Sequence, residues 1–141
     1  MLEVRAAKID DAEDLFALNT RFGNTTTIGL LKKSLVENDC EIVGIAVIDG
    51  MTVGFCSGLI IKSMCSGRDR AEIEALYVKE EYRKRGVGMA LMKFLDERLT
   101  ACGIQHFHIN THVDNKAAQS LYEKLEYKKN GEVLMDKTTN L

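Results

Sequence analysis

Apolar positions along the chain repeat with two different periods, and the switches between them mark its elements. Leu2–Ala6 alternates as a short strand. Asp10 or Asp11 then caps a helix whose Ala12, Leu15, Phe16 and Leu18 share one face. Arg21–Thr27 is a polar connection with a turn at Gly23-Asn24, and residues 28–37 form a second helix that packs Ile28, Leu31 and Leu35. Two long apolar runs follow, Glu41–Ile48 and Thr52–Ile61, joined at Asp49-Gly50. Asp-Gly between apolar runs signals a hairpin, because a type I′ turn needs φ > 0 at both central residues. Residues 62–70 are a polar loop, and residues 71–78 a buried strand with its apolar run from Ile73 to Val78.

The second half alternates helix and strand. Val87, Ala90, Leu91, Phe94 and Leu95 lie on one face of a helix over 87–102 that stops at Gly103. A strand over His106–Val113 and a helix over 116–125 come next. Tyr127–Lys129, an Asn130-Gly131 turn and Glu132–Thr138 read as a closing hairpin. The order is β-α-α-β-β-β-α-β-α-β-β, which predicts an α/β (α+β) protein: a mixed, mainly antiparallel central sheet flanked by helices.

Length and composition narrow the classes of function. At 141 residues the chain forms one domain, 1–141, with a sizeable core. Its formal net charge of -2 implies no broad nucleic-acid-binding surface. No apolar run reaches membrane-spanning length, and Met1-Leu2-Glu3-Val4 does not open a signal peptide. The four cysteines form no CxxC pair and read as reduced, small apolar residues, so a cytoplasmic setting is expected. With no proline, turns must come from Gly, Asn and Asp.

The stretch with chemistry in it is Tyr82-Arg83-Lys84-Arg85-Gly86-Val87-Gly88-Met89. It lies between a strand and a helix, where the helix start leaves N–H groups unpaired and carries about half a positive charge. Gly86 and Gly88 let an anion approach the main chain, and three bases stand in front. Residues 83–89 are therefore expected to hold a phosphate or pyrophosphate. The dinucleotide fingerprint would need Gly or Ala where Leu91 stands, and the nucleotide P-loop a Lys-Ser/Thr that is missing.

Arg83-Lys84-Arg85-Gly86-Val87-Gly88 instead resembles the [R/Q]-x-x-G-x-[G/A] acetyl-CoA pyrophosphate loop of the GNAT superfamily of N-acetyltransferases. A second segment supports the resemblance. Asn115, Ala118, Leu121, Tyr122, Leu125 and Tyr127 match that family's N-x-x-A-x-x-[L/F]-Y-x-x-L-G-[F/Y]. Glu126 departs from it, standing where glycine usually ends the helix in a left-handed turn, so a less regular end is expected.

The resemblance implies transfer of an acetyl group from acetyl-CoA to a primary amine by direct attack in a ternary complex. Arg83, Lys84, Arg85, Gly86, Val87, Gly88 and Met89 would bind the cosubstrate's pyrophosphate. Main-chain groups of Leu76, Tyr77 and Val78, with the Asn115 side chain, would bind its pantetheine arm. Tyr122 would protonate the leaving thiolate, its alternative being a core tyrosine with a rim hydroxyl. Glu74, a carboxylate inside an apolar strand, is the candidate base, acting through water. Glu72 reads as a solvated strand end.

Other readings are weighed against this one. His106, His108, Asn110 and His112 share a strand face, and His-x-His is a ligand spacing. No acid or cysteine adjoins them and the family needs no metal, so a polar strand face is preferred, with His112 a spare base. Asn110 stands where some protein N-terminal acetyltransferases of the family carry glutamate, which speaks against a ribosomal-protein role. Arg21–Thr27 and Lys62–Arg70, which flank the acceptor site in the family, carry Arg21, Lys62, Arg68 and Arg70 against Asp69. That gives no support to a polycationic acceptor such as an aminoglycoside and weakly permits an acceptor with a carboxylate nearby. A non-catalytic CoA-binding or regulatory module is the alternative function, and a homodimer stays open.

Overall fold

The computed structural model describes residues 1–140, which divide into two compact units, Met1–Asn110 and Thr111 onward. The first unit holds β1 (Leu2–Ala6), α1 (Ala12–Phe22), α2 (Ile28–Glu37), β2 (Glu41–Ile48), β3 (Met51–Ile61), β4 (Arg70–Val78), α3 (Val87–Ala101) and β5 (Phe107–Ile109). Its sheet runs β1-β2-β3-β4-β5, antiparallel up to β4, with β5 parallel to β4 across the α3 crossover. This is the mixed, mainly antiparallel sheet expected. The second unit contains α4 (Lys116–Lys124).

Strand alternation gives the sheet two coats. Leu15 and Leu18 of α1 meet Ile45, Phe55 and Ala75, with Leu31 and Leu35 of α2 against the same cluster. On the other face α3 buries Val87, Leu91, Met92, Leu95 and Leu99. Glycines make this approach close: a Cβ on Gly44 would stand 2.6 Å from the Phe94 ring, and one on Gly54 only 2.7 Å from the Tyr77 carbonyl. Glycine is required at Gly54, where the crowding atom is backbone of the adjacent strand, while at Gly44 the Phe94 ring and the Cys56 Sγ (2.9 Å) would have to shift.

The alternation breaks once, where it matters for the site. Ser57 pairs with Ala75 but Gly58 pairs with Ile73, so Glu74 is an extra, bulged residue. Ile73 thus faces α3 while Ala75 faces α1, although the two are two residues apart. β5 accompanies β4 only along Ala71–Ile73 and leaves at the bulge.

Two expectations fail. The strand expected over His106–Val113 shrinks to Phe107–Ile109, because Asn110 turns its amide to Glu72 (3.2 Å) and the His112–Asp114 turn follows. The closing hairpin is not formed among the described residues. Asp49 and Gly50 both adopt positive φ (50° and 79°) and make the first hairpin's tight turn. At the second site only Gly131 does (77°), and Asn130 instead accepts the Glu132 N–H on its side chain (3.0 Å). That local Asx-type bond replaces the type I′ reversal, and Val133, Leu134 and Met135 are left exposed.

Candidate active site

The turn before α3 is built to leave amides free. A 3-10 turn over Glu80–Tyr82 ends β4, Lys84 takes a left-handed φ of 63°, and Gly86, the residue before the helix, one of 81°. From Lys84 through Met89 no N–H meets a protein acceptor; the first bond of the helix is Ala90 N–H to the Gly86 carbonyl (3.0 Å). No side chain caps this helix, whereas Thr27 caps α2 and Asn115 caps α4. Around the free amides the Arg83 Nε donates to the Val78 carbonyl (2.8 Å) and the Arg85 guanidinium lies over the Tyr82 ring (5.4 Å). None of Arg83, Lys84 or Arg85 pairs with an acid among the described residues. Free N–H groups, a helix start and unneutralised bases together make an anion cradle.

Beyond the bulge, β4 has a free edge. The Lys79 N–H donates to the Val53 carbonyl, so odd-numbered residues here turn their main chain to β3 and Leu76 and Val78 turn theirs away. Of the three residues expected to bind an extended arm through their main chains, Leu76 and Val78 point to the open edge. Tyr77 is committed to the sheet, and its ring packs against Phe22 and Phe55.

On the α1/α2 coat a cavity of about 410 Å³ opens. It is why α2 buries no residue completely. Leu15, Leu31, Leu35, Val43 and Phe55 wall it, and Glu74 reaches its lining from the bulge, exposed and without a protein partner. Asn24, Thr25 and Thr26 bring the first connection to the rim. The second connection, 62–70, contributes nothing, and no base lines the space. The charge expected from the loops is therefore reversed: the charged lining is Glu41 and Glu74, which come from strands.

Glu41 was invisible to pattern reading, since a glutamate opening a strand resembles a solvated end. In the structure its two oxygens accept from the hydroxyls of Ser34 (2.7 Å) and Ser57 (2.5 Å). The available signal was Ser57, a hydroxyl in the middle of an apolar strand that needs a partner once buried.

In the second unit the Asn115 Oδ1 accepts the Ala118 N–H (3.1 Å), the helix-cap alternative to a ligand contact. Tyr122 is buried, packs its ring 6.0 Å from that of Tyr127, and its hydroxyl has no protein partner. Burial raises its pKa, so the phenol keeps its proton at neutral pH. Burial likewise pushes the Cys56 thiol up to about 12, which leaves it a poor nucleophile. The histidine face does not persist as a row. His106 and His108 touch through their Nε2 atoms (3.0 Å), and His112 turns to Asp114 (3.5 Å).

A sheet splayed at a strand bulge, an uncapped basic helix start after that strand and a cavity beside the bulge define an acyl-group transferase of mixed α/β type. The chain belongs to the acetyltransferase (GNAT) family, whose model matches residues 8–127, and is an N-acetyltransferase. It is 30% identical to an acetyltransferase of Sodalis glossinidius, over 95% of this chain and 92% of that one. Among solved structures it is similar to an aminoglycoside acetyltransferase from an uncultured soil metagenomic sample (TM-score 0.85, 17% identity, 99% and 97% of the two chains). It is also similar to AAC(6′)-Iy, solved with a bisubstrate analogue of CoA and acetylneamine (TM-score 0.85, 18% identity, 99% of each chain).

Proposed function

We propose that the protein transfers an acetyl group from acetyl-CoA to a primary amine by direct attack, with both substrates bound at once. The observation that carries this reading is the run of unpaired N–H groups from Lys84 through Met89, flanked by three unneutralised bases. It suits a pyrophosphate, and the main-chain groups of Leu76 with the N–H of Val78, whose carbonyl is taken by Arg83, suit an extended amide-bearing arm. The family membership and the CoA moiety held by a similar structure support the same cosubstrate.

An amine of pKa ~10.4 is neutral in only about one molecule in a thousand at pH 7, so the site needs somewhere to put a proton. Glu74, unpaired at the cavity lining, receives it through water. The amine nitrogen bonds to the acetyl carbon as the carbon–sulfur bond breaks, and Tyr122, still protonated, gives its proton to the departing sulfur. No cysteine is required as an acyl carrier: Cys56 is held as a buried thiol. Four free cysteines support a cytoplasmic setting, and the whole chain is read as one N-acetyltransferase domain.

The test is release of CoA thiol from acetyl-CoA across polyamines, aminoglycosides, amino acids and peptides with free N-termini. Turnover of one amine class is the expected result. No release with any amine, while CoA binds, would leave a CoA-binding module in its place.

A further inference from the structure

We propose that the acceptor carries a second cation besides the amine that is acetylated, and that Glu41 holds it. The acceptor class is then a diamine or polyamine. This rests on the acetyl-transfer reading and adds to it a specificity-determining residue.

The cavity's charge is the first reason. Its lining holds two carboxylates, Glu41 and Glu74, and no lysine, arginine or histidine. Neither carboxylate has a cationic partner among the described residues. A half-buried carboxylate against Leu31, Leu35 and Val43 loses hydration that a fixed cation would restore. The way Glu41 is held is the second reason. Ser34 from α2 and Ser57 from β3 each donate to one of its oxygens, which fixes the carboxylate at the lining. Each oxygen has two lone pairs, so an acceptor site remains on both after the serines are served. A hydroxyl-buttressed anion in a cavity whose other charged group is also a carboxylate is a receptor for an ammonium group.

Spacing turns this into a chemical class. Glu41 lies on β2 and Glu74 on β4, with β3 between them, so two strand spacings, about 10 Å, separate their backbones. A molecule with its reacting nitrogen at Glu74 would need its second nitrogen several ångströms away to reach Glu41. Linear diamines and ring-borne aminosugars both meet that requirement.

The experiment compares kcat/KM for α,ω-diamines from diaminopropane to diaminooctane, for neamine, and for butylamine and hexylamine, in the wild type and in Glu41→Gln. Glutamine keeps the shape and can still accept from one serine and donate to the other, and the thermal unfolding midpoint checks that the fold survives. The wild type should favour a diamine of intermediate length, or neamine, over the monoamines by about tenfold or more. In Glu41→Gln that ratio should collapse toward one. The linear and aminosugar arms separate the two sources of the second cation. Equal use of monoamines and diamines, or a ratio untouched by the substitution, overturns the assignment of Glu41 while leaving acetyl transfer standing. Should none of this set be turned over while amino acids or peptides are, the diamine assignment fails and acetyl transfer stands. Should no amine of either set be turned over, acetyl transfer itself fails. Calorimetric titration of the same diamines then decides on Glu41 separately: binding lost in Glu41→Gln supports its role, and absent or unchanged binding ends it.

Discussion

Among the described residues two helices open on a capping side chain, one runs on from a 3-10 turn tied to β1, and one opens on free amides. Ahead of α1, Asp11 reaches back to the Lys8 N–H (2.7 Å) and is clamped by both terminal nitrogens of Arg5 (2.8 and 3.0 Å). Thr27 closes α2 through the Leu30 N–H (3.1 Å), and Asn115 closes α4. At α3 a left-handed glycine stands where a capping side chain would, and the amides behind it have no protein acceptor. A side chain at a helix start typically stabilises by ~1 kcal/mol. α1 also lacks one but runs on from a 3-10 turn, whereas the α3 amides stay free beside three bases, and on the proposed reading that start is reserved for a ligand.

The most severe way to break the contrast is Gly86→Glu, which closes the open start with a charge of the wrong sign. A Cβ there meets nothing within 4 Å, so the substitution fits sterically and its backbone strain at φ 81° is about 1–2 kcal/mol. Calorimetry should find CoA affinity lower by on the order of a hundredfold, with the fold retained. Unchanged affinity would remove the anion from this turn. Next in size is a test of what a closed helix contributes instead, which on this reading is a side chain from its buried face. Tyr122→Phe keeps the ring and removes only the unpartnered hydroxyl. It should lower kcat by about a hundredfold with little change in acetyl-CoA affinity, and equal turnover would end the acid role.

A smaller effect separates structural closure from function. Asp11→Asn loses the ion pair with Arg5 and should cost about 1–3 kcal/mol of stability without weakening CoA binding. The Arg5 guanidinium holds the Asp11 carboxyl below its ordinary pKa, with the Lys8 N–H adding to the effect. The sign follows directly. Stabilisation from a depressed carboxyl is complete above the unfolded value of ~3.9 and is lost as pH falls through the folded one. Unfolding midpoints of the wild type should therefore drop in that acidic window, and those of Asp11→Asn should drop less. Asn115→Ala belongs beside it, expected to cost ~1 kcal/mol, with Asn115→Asp restoring the cap. A loss of acetyl-CoA affinity in Asn115→Ala larger than the loss of stability would show that Asn115 also serves the ligand.

How much of this was legible beforehand depends on the range of the interaction. The strand–turn–helix around Gly86, the Asp49-Gly50 hairpin and the helix faces are local patterns, and they appear where periodicity put them. Asn130-Gly131 carries the same kind of signal and fails, because Asn130 finds a bond to Glu132 that needs no left-handed φ. The cavity was not legible, since its carboxylates are brought together by strand pairing across β2, β3 and β4 and its charge belongs to no loop. Nor was the bulge, which reverses the facing of Glu74 and Ala75 and shows only in the register with β3.

The smallest test concerns a helix end. α4 finishes with Tyr127 N–H on the Tyr122 carbonyl and Glu126 N–H on the Glu123 carbonyl (both 3.0 Å), the paired bonds of a Schellman turn. The residue at its left-handed position is Glu126, at φ 71°. The regular end is thus kept without the glycine, against the expectation of a looser one, and the strain is carried in the backbone. Glu126 is exposed, and no side-chain bond compensates it. Glycine there would relieve the left-handed penalty but lose more entropy on folding, so Glu126→Gly should stabilise by a few tenths to ~1 kcal/mol. Its kcat should not change, because the Tyr122 carbonyl keeps both its bond and its place. A fall in stability would mean that the glutamate side chain supports the turn, and the end of α4 would then be closed, like its start, by a side chain.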